Sequence, residues 1–150
     1  MVTIETLRKA PALSIRQPWA ELIAAGRKDI ELRSWTDSYR GPVWLHTGLK
    51  IDEQANSRFG LGDLFTGGII GLVDLGDIRL VTQRLFTSWA ERHLDFSPFP
   101  HNYDLHGWIL SKPVRLPHPH PCKGALKLFD PDLSGLSDEE IFAALSQFNE

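Results

Sequence analysis

Residues Leu13 to Trp35, LSIRQPWAELIAAGRKDIELRSW, constrain the fold most, because the apolar periodicity changes from helical to strand-like within them. Gln17-Pro18-Trp19 opens a helix: proline suits the first helical turn, where its missing N–H would have no partner. Trp19, Leu22 and Ile23 recur at helical spacing and Gly26 stands where a left-handed stop belongs, predicting a helix over Pro18–Ala25. Alternation then takes over. Ile30 and Leu32 point one way, while Glu31, Arg33 and Trp35 point the other. A strand with an acid, a base and an indole on one face is no ordinary half-buried strand. That face is expected to meet a ligand.

The rest of the chain supplies more short elements. Leu13-Ser14-Ile15 forms a first strand, Asp29–Trp35 a second, and Val43–His46 a third after the turn at Thr36-Asp37-Ser38. Asp52 caps a helix through Phe59, ended near Gly60. Gly67-Gly68 begins a long apolar strand, Ile69 to Val73, running on toward Leu80. Thr82 or Thr87 caps a helix that includes Trp89 and His93. Ser97-Pro98-Phe99-Pro100 cannot continue it and marks a loop. Trp108–Leu116 is strand-like, and Pro113 within it demands an edge position or a bulge. The His/Pro run 117–121 is extended and leads to a last strand near Leu126–Phe129. Ser137 and Glu140 have capping-box spacing ahead of Ile141, Phe142 and Leu145, giving a helix over about 137–148. The first nine residues look like a mobile lead-in. Trp44 and Trp108 are assigned to the core, and Trp35 to core or ligand face. This order fits a closed mixed sheet in an α+β domain better than a regular βαβ array.

At 150 residues the chain is long enough for one domain with a real core. No apolar run approaches a membrane span, the N-terminus has no signal-peptide core, and a lone Cys122 excludes a disulfide or cysteine–metal framework. A soluble cytoplasmic protein is expected. Residues 1–50 hold 8 Lys/Arg against 5 Asp/Glu, and residues 51–150 hold 8 against 14. A basic first third on an acidic body focuses an anionic ligand locally, without the many phosphate contacts of a strong duplex binder.

Lys28 follows a helix stop and precedes a strand. A lysine held in a partly dry pocket loses basicity and can act as base or nucleophile, whereas one in a solvated loop does neither. Arg33 and Arg40 suit phosphate or carboxylate recognition, and Trp35 and Tyr39 can stack on a base. His101, His106, His118 and His120 have metal-binding composition, but a solvent-facing proline-rich loop explains them as well.

Taken together, Leu13-Ser14-Ile15, Gln17-Pro18-Trp19-Ala20, Gly26-Arg27-Lys28, Glu31 with Arg33, and Tyr39-Arg40-Gly41-Pro42 resemble the ASCH domain family. Gly71–Leu75, Trp108–Leu110 and Lys123–Leu126 resemble its later strands. The resemblance covers about Ala12 to Phe129 and is nearest to stand-alone bacterial members. It implies a PUA-like mixed β-barrel of five to six strands with helices over the barrel ends. Residues 1–150 then form a single domain, its core at about 12–129, with a C-terminal helical extension that packs on the barrel or mediates a homodimer.

The resemblance also implies chemistry. Family amidohydrolases acting on N4-acetylcytidine carry a Gly-Arg-Lys-x-Ile-x-x-Arg run whose lysine is catalytic, and Lys28 is the matching residue. Their threonine three residues later is replaced here by Glu31, which puts that route in doubt unless Glu31 activates water. Their later glutamate matches Glu91 only loosely. Other members are linked to metal-assisted RNA cleavage, for which Tyr39, His46, Thr47 and Lys50 are of suitable types.

The leading expectation is therefore binding of single-stranded RNA or a modified nucleoside at the barrel mouth. Arg16, Lys28, Arg33 and Arg40 would contact phosphate or a base edge, Trp35 would stack, and Gln17 and Trp19 belong to the same ligand-binding set. The cleft is expected between the Gly26–Lys28 turn, the Glu31/Arg33/Trp35 face and the loops around Arg40 and Lys50. The rivals are a hydrolase using Lys28 and Glu31, and a protein-interaction module. No cofactor is expected, a divalent metal entering only with RNA cleavage, and no membrane contact.

Overall fold

Two long strands organise the computed structural model, which describes all 150 residues. β4 (Gly68–Leu80) and β5 (His106–Pro121) pair antiparallel over most of their length. Before them in the chain come α1 (Ile4–Lys9), β1 (Ala12–Ser14), α2 (Trp19–Ala24), β2 (Ile30–Arg33), β3 (Gly41–Thr47) and α3 (Glu53–Phe59). Between them lie α4 (Gln83–Ser88) and α5 (Ala90–His93), and after them β6 (Leu128–Phe129) and α6 (Asp138–Phe148). The sheet order is β2-β5-β4-β3-β1-β6, antiparallel except for β1 beside β3.

The β4–β5 ribbon bends because its register shifts three times. At one shift Val73 alone faces Lys112 and Pro113, since Leu72 pairs with Val114 and Asp74 with Ser111. Pro113 thus sits in a bulge, beyond the reach of β2, which covers only His106–Ile109. The bends curl the sheet until β2, four strands away, meets β1: Arg33 Nη2 donates to Ser14 O at 3.0 Å. A side chain rather than a backbone ladder spans that gap. The arrangement is a six-stranded curled half-barrel of the expected α+β type.

Strand alternation sends neighbouring residues to opposite faces. Ala12, Trp44, Ile69 and Leu72 join one apolar cluster, and Leu13, Val43, Leu45 and Val73 the other. On the second face α2 contributes Ala20 and Ile23 beside Trp108. On the first, α1 and α6 contribute Leu7, Ile141, Ala144 and Phe148. Trp44 and Trp108 are both fully buried, one on each face.

The leading residues are not a mobile lead-in. Thr3 caps α1 by accepting from the Thr6 N–H, Leu7 is fully buried, and Trp44 Nε1 donates to Leu7 O at 2.9 Å. Arg8 pairs with Asp138 on α6, while Val2 and Asn149 exchange hydrogen bonds of 3.2 and 2.9 Å. One and a half helical turns carry too little periodicity to announce themselves; distant partners hold them.

Other local signals behave as their chemistry requires. Asp52 caps α3 and Gly60 ends it with φ 64°. Thr82, not Thr87, caps α4, and Ser137 with Glu140 closes a full capping box on α6. Pro18 is the N-cap of α2.

Candidate functional site

The turn after α2 aims Lys28 inward. Gly26 takes φ 77°, and the Arg27 and Lys28 N–H groups both reach back to Leu22 O, at 2.9 and 3.1 Å. Lys28 is 3% exposed. Its Nζ donates to Ile30 O at 2.7 Å and His93 O at 2.6 Å, and lies 5.2 Å from the centre of the Trp19 ring. The two carbonyls engage two N–H bonds. What remains of the nitrogen's valence is directed to Glu31 Oε1, 3.4 Å away. Burial pulls the lysine below its ordinary basicity, and the Glu31 charge opposes that shift without cancelling it.

Glu31 is the middle of a row. Its Oε2 accepts from Arg33 Nε at 3.0 Å and lies 2.9 Å from Arg33 Nη2, which also bonds Ser14 O. Lys28, Glu31 and Arg33 therefore form a buried to half-buried cation–acid–cation line where β2 closes on β1. Both oxygens of Glu31 are engaged, so it serves as a fixed acceptor before it serves as a base. Removing one member of such a row leaves an uncompensated charge in a poorly solvated place.

This row borders a cleft of about 630 Å³. Arg16, Trp19 and Trp35 complete the wall built from the N-terminal motif. Trp35 stands edge-on to Trp108 at 4.7 Å, and its carbonyl accepts from Trp108 Nε1 at 3.3 Å. The opposite wall is made by Asp52, Asp95, Ser97 and Tyr103, none of which the motif announces. His93 fixes the start of the 95–103 loop. Its backbone carbonyl holds Lys28; its Nε2 donates to Phe86 O at 2.8 Å and its Nδ1 accepts from the Asp95 N–H at 3.0 Å. Burial lowers its basicity, so the stacked Phe86–His93 pair is an uncharged post. Tyr103 remains 52% exposed at the mouth. The only sequence hint of this wall is the proline-punctuated loop 97–100, which says where the chain turns and not what it faces.

Of the residues singled out from the sequence, Arg16, Trp19, Lys28, Glu31, Arg33 and Trp35 share the cleft. The others do not. Gln17 is buried behind it, with Oε1 accepting from the Glu21 N–H at 2.9 Å and Nε2 donating to Phe65 O at 3.0 Å. Tyr39 donates its hydroxyl to Pro42 O at 2.7 Å, and burial with the nearby Asp74 charge raises its pKa. Arg40 lies on the same outer turn, donating to Asp37 O and Tyr39 O. His46 and Lys50 border a different groove, without Tyr39, and Thr47 is fully buried. The cleft is thus bounded by the 95–103 loop and by Asp52, two residues past Lys50, and not by the turn around Arg40. No cluster of three or more His, Cys, Asp or Glu side chains converges on a metal-sized centre, and His120 Nε2 meets Asp132 O at 2.8 Å. No helix is long and apolar enough to cross a membrane.

A curled six-stranded α+β sheet with a charged cleft where its edge strand meets β1 is an ASCH/PUA-like fold, as comparison with solved structures shows. ASCH from Zymomonas mobilis superposes with a TM-score of 0.61 at 15% identity, covering 93% of this chain and 95% of that one. Two mutant forms of the same protein give 0.61 and 0.60. At that identity the likeness is one of fold. Residues 13–114 match the family model of the ASCH domain, and the chain belongs to that family. Activating signal cointegrator 1 of Homo sapiens is 37% identical over 79 residues, covering 43% of this chain and 14% of that protein. Its Mus musculus counterpart is 31% identical over 134 residues, covering 80% and 22%. This chain spans less than a quarter of these relatives.

Proposed function

We propose that the cleft binds one unstacked nucleoside unit, from single-stranded RNA or as a free modified nucleoside. One observation carries this: a pre-formed Lys28–Glu31–Arg33 row faces aromatic rims at Trp19, Trp35 and Tyr103. Fixed donors and an acceptor suit the hydrogen-bonding edge of a base, and the rings suit its faces. The volume falls in the range of roughly 300–1,000 Å³ typical of small-ligand pockets. Exposed Arg16 at the rim is placed for a phosphate. The family is PUA-related and RNA-binding-like, which agrees with this assignment.

Titration of a fluorescent single-stranded RNA and its duplex form tests the proposal. Preference for the single strand, weakened by Arg16→Ala and by Tyr103→Ala, is the expected result. Equal binding of duplex, untouched by both variants, overturns it.

A second function has its own support in the desolvated Lys28 amine. In that reaction the neutral Lys28 amine takes a proton from water, and the resulting hydroxide adds to the acyl carbon while Glu31 positions the reacting group. Lys28 returns the proton to the cytosine N4 as the C–N bond breaks, so the cleft hydrolyses an acylated cytidine to a carboxylate and cytidine. Incubation of N4-acetylcytidine with wild type and with Lys28→Met, read by mass spectrometry, decides it. Deacetylation by wild type alone establishes the enzyme, and an unchanged mass with both removes the hydrolase. RNA cleavage lacks its cluster, because Tyr39 lies away from the groove that His46 and Lys50 border.

A further inference from the structure

A second groove, of about 890 Å³, opens on the far side of Ser14 and Arg16, the two residues it shares with the cleft. It runs between the Gly48-Leu49-Lys50 segment and residues 121–126. Leu49 is 82% exposed on one side and Leu126 92% exposed on the other. Arg16, Lys50 and Lys123 line it, with no Asp or Glu among the lining residues.

The groove is built rather than incidental. His46 forms its base at 2% exposure, and its Nε2 donates to Cys122 O at 2.9 Å, since a carbonyl can only accept. With the proton there, Nδ1 accepts from Ser14 Oγ at 2.9 Å, and Phe129 meets the ring edge-on at 5.5 Å. A Cβ added to Gly124 would come within 2.5 Å of the imidazole, so the 121–126 segment rests directly on it. On the facing side Leu49 leans on Gly67, where a Cβ would lie 3.1 Å from Leu49 Cδ2.

We propose that this groove docks an acidic, leucine-bearing peptide segment of a protein partner. Its apolar side chains pack on Leu49 and Leu126, and its carboxylates face Arg16, Lys50 and Lys123. Charge complementarity fixes the sign of the partner, because the lining holds three cations and no acid. Two leucines held in water on opposite sides of a groove with a fixed base are what an apolar anchor requires. Nucleic acid fits this surface poorly. Sequence-tolerant strand binding uses open aromatic faces, and the one ring here is buried and occupied by its neighbours. The inference stands apart from the cleft and its ligand.

Fluorescence anisotropy with a synthetic peptide alternating Leu with Asp and Glu tests it. The controls are the same peptide with Ser in place of Leu, a Leu/Lys peptide and a uridine oligonucleotide. Only the acidic leucine peptide is expected to bind, more tightly at low salt. Leu126→Asp should weaken it about tenfold. The exposed pair Lys50→Glu with Lys123→Glu should weaken it at least roughly threefold, whereas Tyr103→Ala leaves it unchanged. Three results would each overturn the proposal: no binding at millimolar peptide, equal binding of the leucine-free peptide, or displacement by the oligonucleotide with the same variant sensitivity. The last would make the groove a continuation of a nucleic-acid path. Failure of RNA to bind the cleft leaves the peptide result standing, so the two ideas fail separately.

Discussion

Lys28 and His46 are two polar residues buried to nearly the same degree, 3% and 2% exposed, one in the turn ahead of β2 and the other on β3. Their fates differ because of what surrounds them. His46 has two polar ring atoms and two partners, Ser14 Oγ and Cys122 O, so nothing of its chemistry is left over. Lys28 has two carbonyls and a third acceptor that is itself shared with Arg33, all at the edge of a cleft. Burial does not make a functional group. What sets Lys28 apart is a partner shared with a second cation at the edge of open space.

The sharpest way to break the contrast is to empty the middle of the charged row. Glu31→Ala strands Lys28 and Arg33, and should cost about 3–5 kcal/mol in chemical denaturation. A loss below 1 kcal/mol would mean that the row is solvated and the cleft floor is not what holds β2 to β1. His46→Ala should cost less, about 2 kcal/mol, by orphaning one carbonyl and one hydroxyl, and should leave nucleoside affinity at the cleft unchanged. If nucleoside binding fell with it, the two regions would be coupled and the contrast would fail.

Tyr103→Ala should do the reverse. It should remove about 1–2 kcal/mol of binding from a single-stranded ligand while leaving the denaturation midpoint in place. The two depressed bases add a pH signature. Both Lys28 and His93 bind a proton less readily folded than unfolded, so the unfolded chain holds more protons and stability rises with pH across each window. For His93 that stability is lost as pH falls below the ordinary histidine value of about 6.5. For Lys28 it accrues as pH climbs toward the ordinary lysine value of about 10.4. Each slope is at most about 1.4 kcal/mol per pH unit. Denaturation curves of His93→Gln should lose the acid slope and those of Lys28→Met the alkaline one; slopes that survive would assign them elsewhere. The smallest effect is Arg40→Ala, under about 0.5 kcal/mol on stability and none on nucleoside binding. Its hydrogen bonds stay on its own turn, and its ion pair with Asp77 on β4 is long, at 3.8 Å, and exposed.

What the sequence could announce was whatever is local. Pro18, Gly26 and the alternation after it specify α2 and β2 within one short run, and Asp52, Gly60, Ser137 and Glu140 mark helix ends by their own hydrogen bonds. Pro113 called for an edge position or a bulge because a missing N–H has few places to go, and the structure supplies the bulge. The opposite wall of the cleft was hidden for the converse reason. Asp95 and Tyr103 line the same cleft as Lys28, and the link that sets the 95–103 loop there is the His93 carbonyl on Lys28, a contact spanning 65 positions of chain. Helix α1 was hidden likewise, since Leu7 is apolar in a segment too short to show a period and gains its place from Trp44 and α6. His46 and Lys50 sit close in sequence, yet strand pleating and the turn after Thr47 put one beneath the groove and the other on its rim.

The exchange of hydrogen bonds between Val2 and Asn149 has a consequence for how such a unit can be carried. The polypeptide enters and leaves at one point, among residues that line neither the cleft nor the groove. A module wired in this way can be spliced into a host loop at a single doorway, or circularly permuted through a short bridge, without disturbing the sheet.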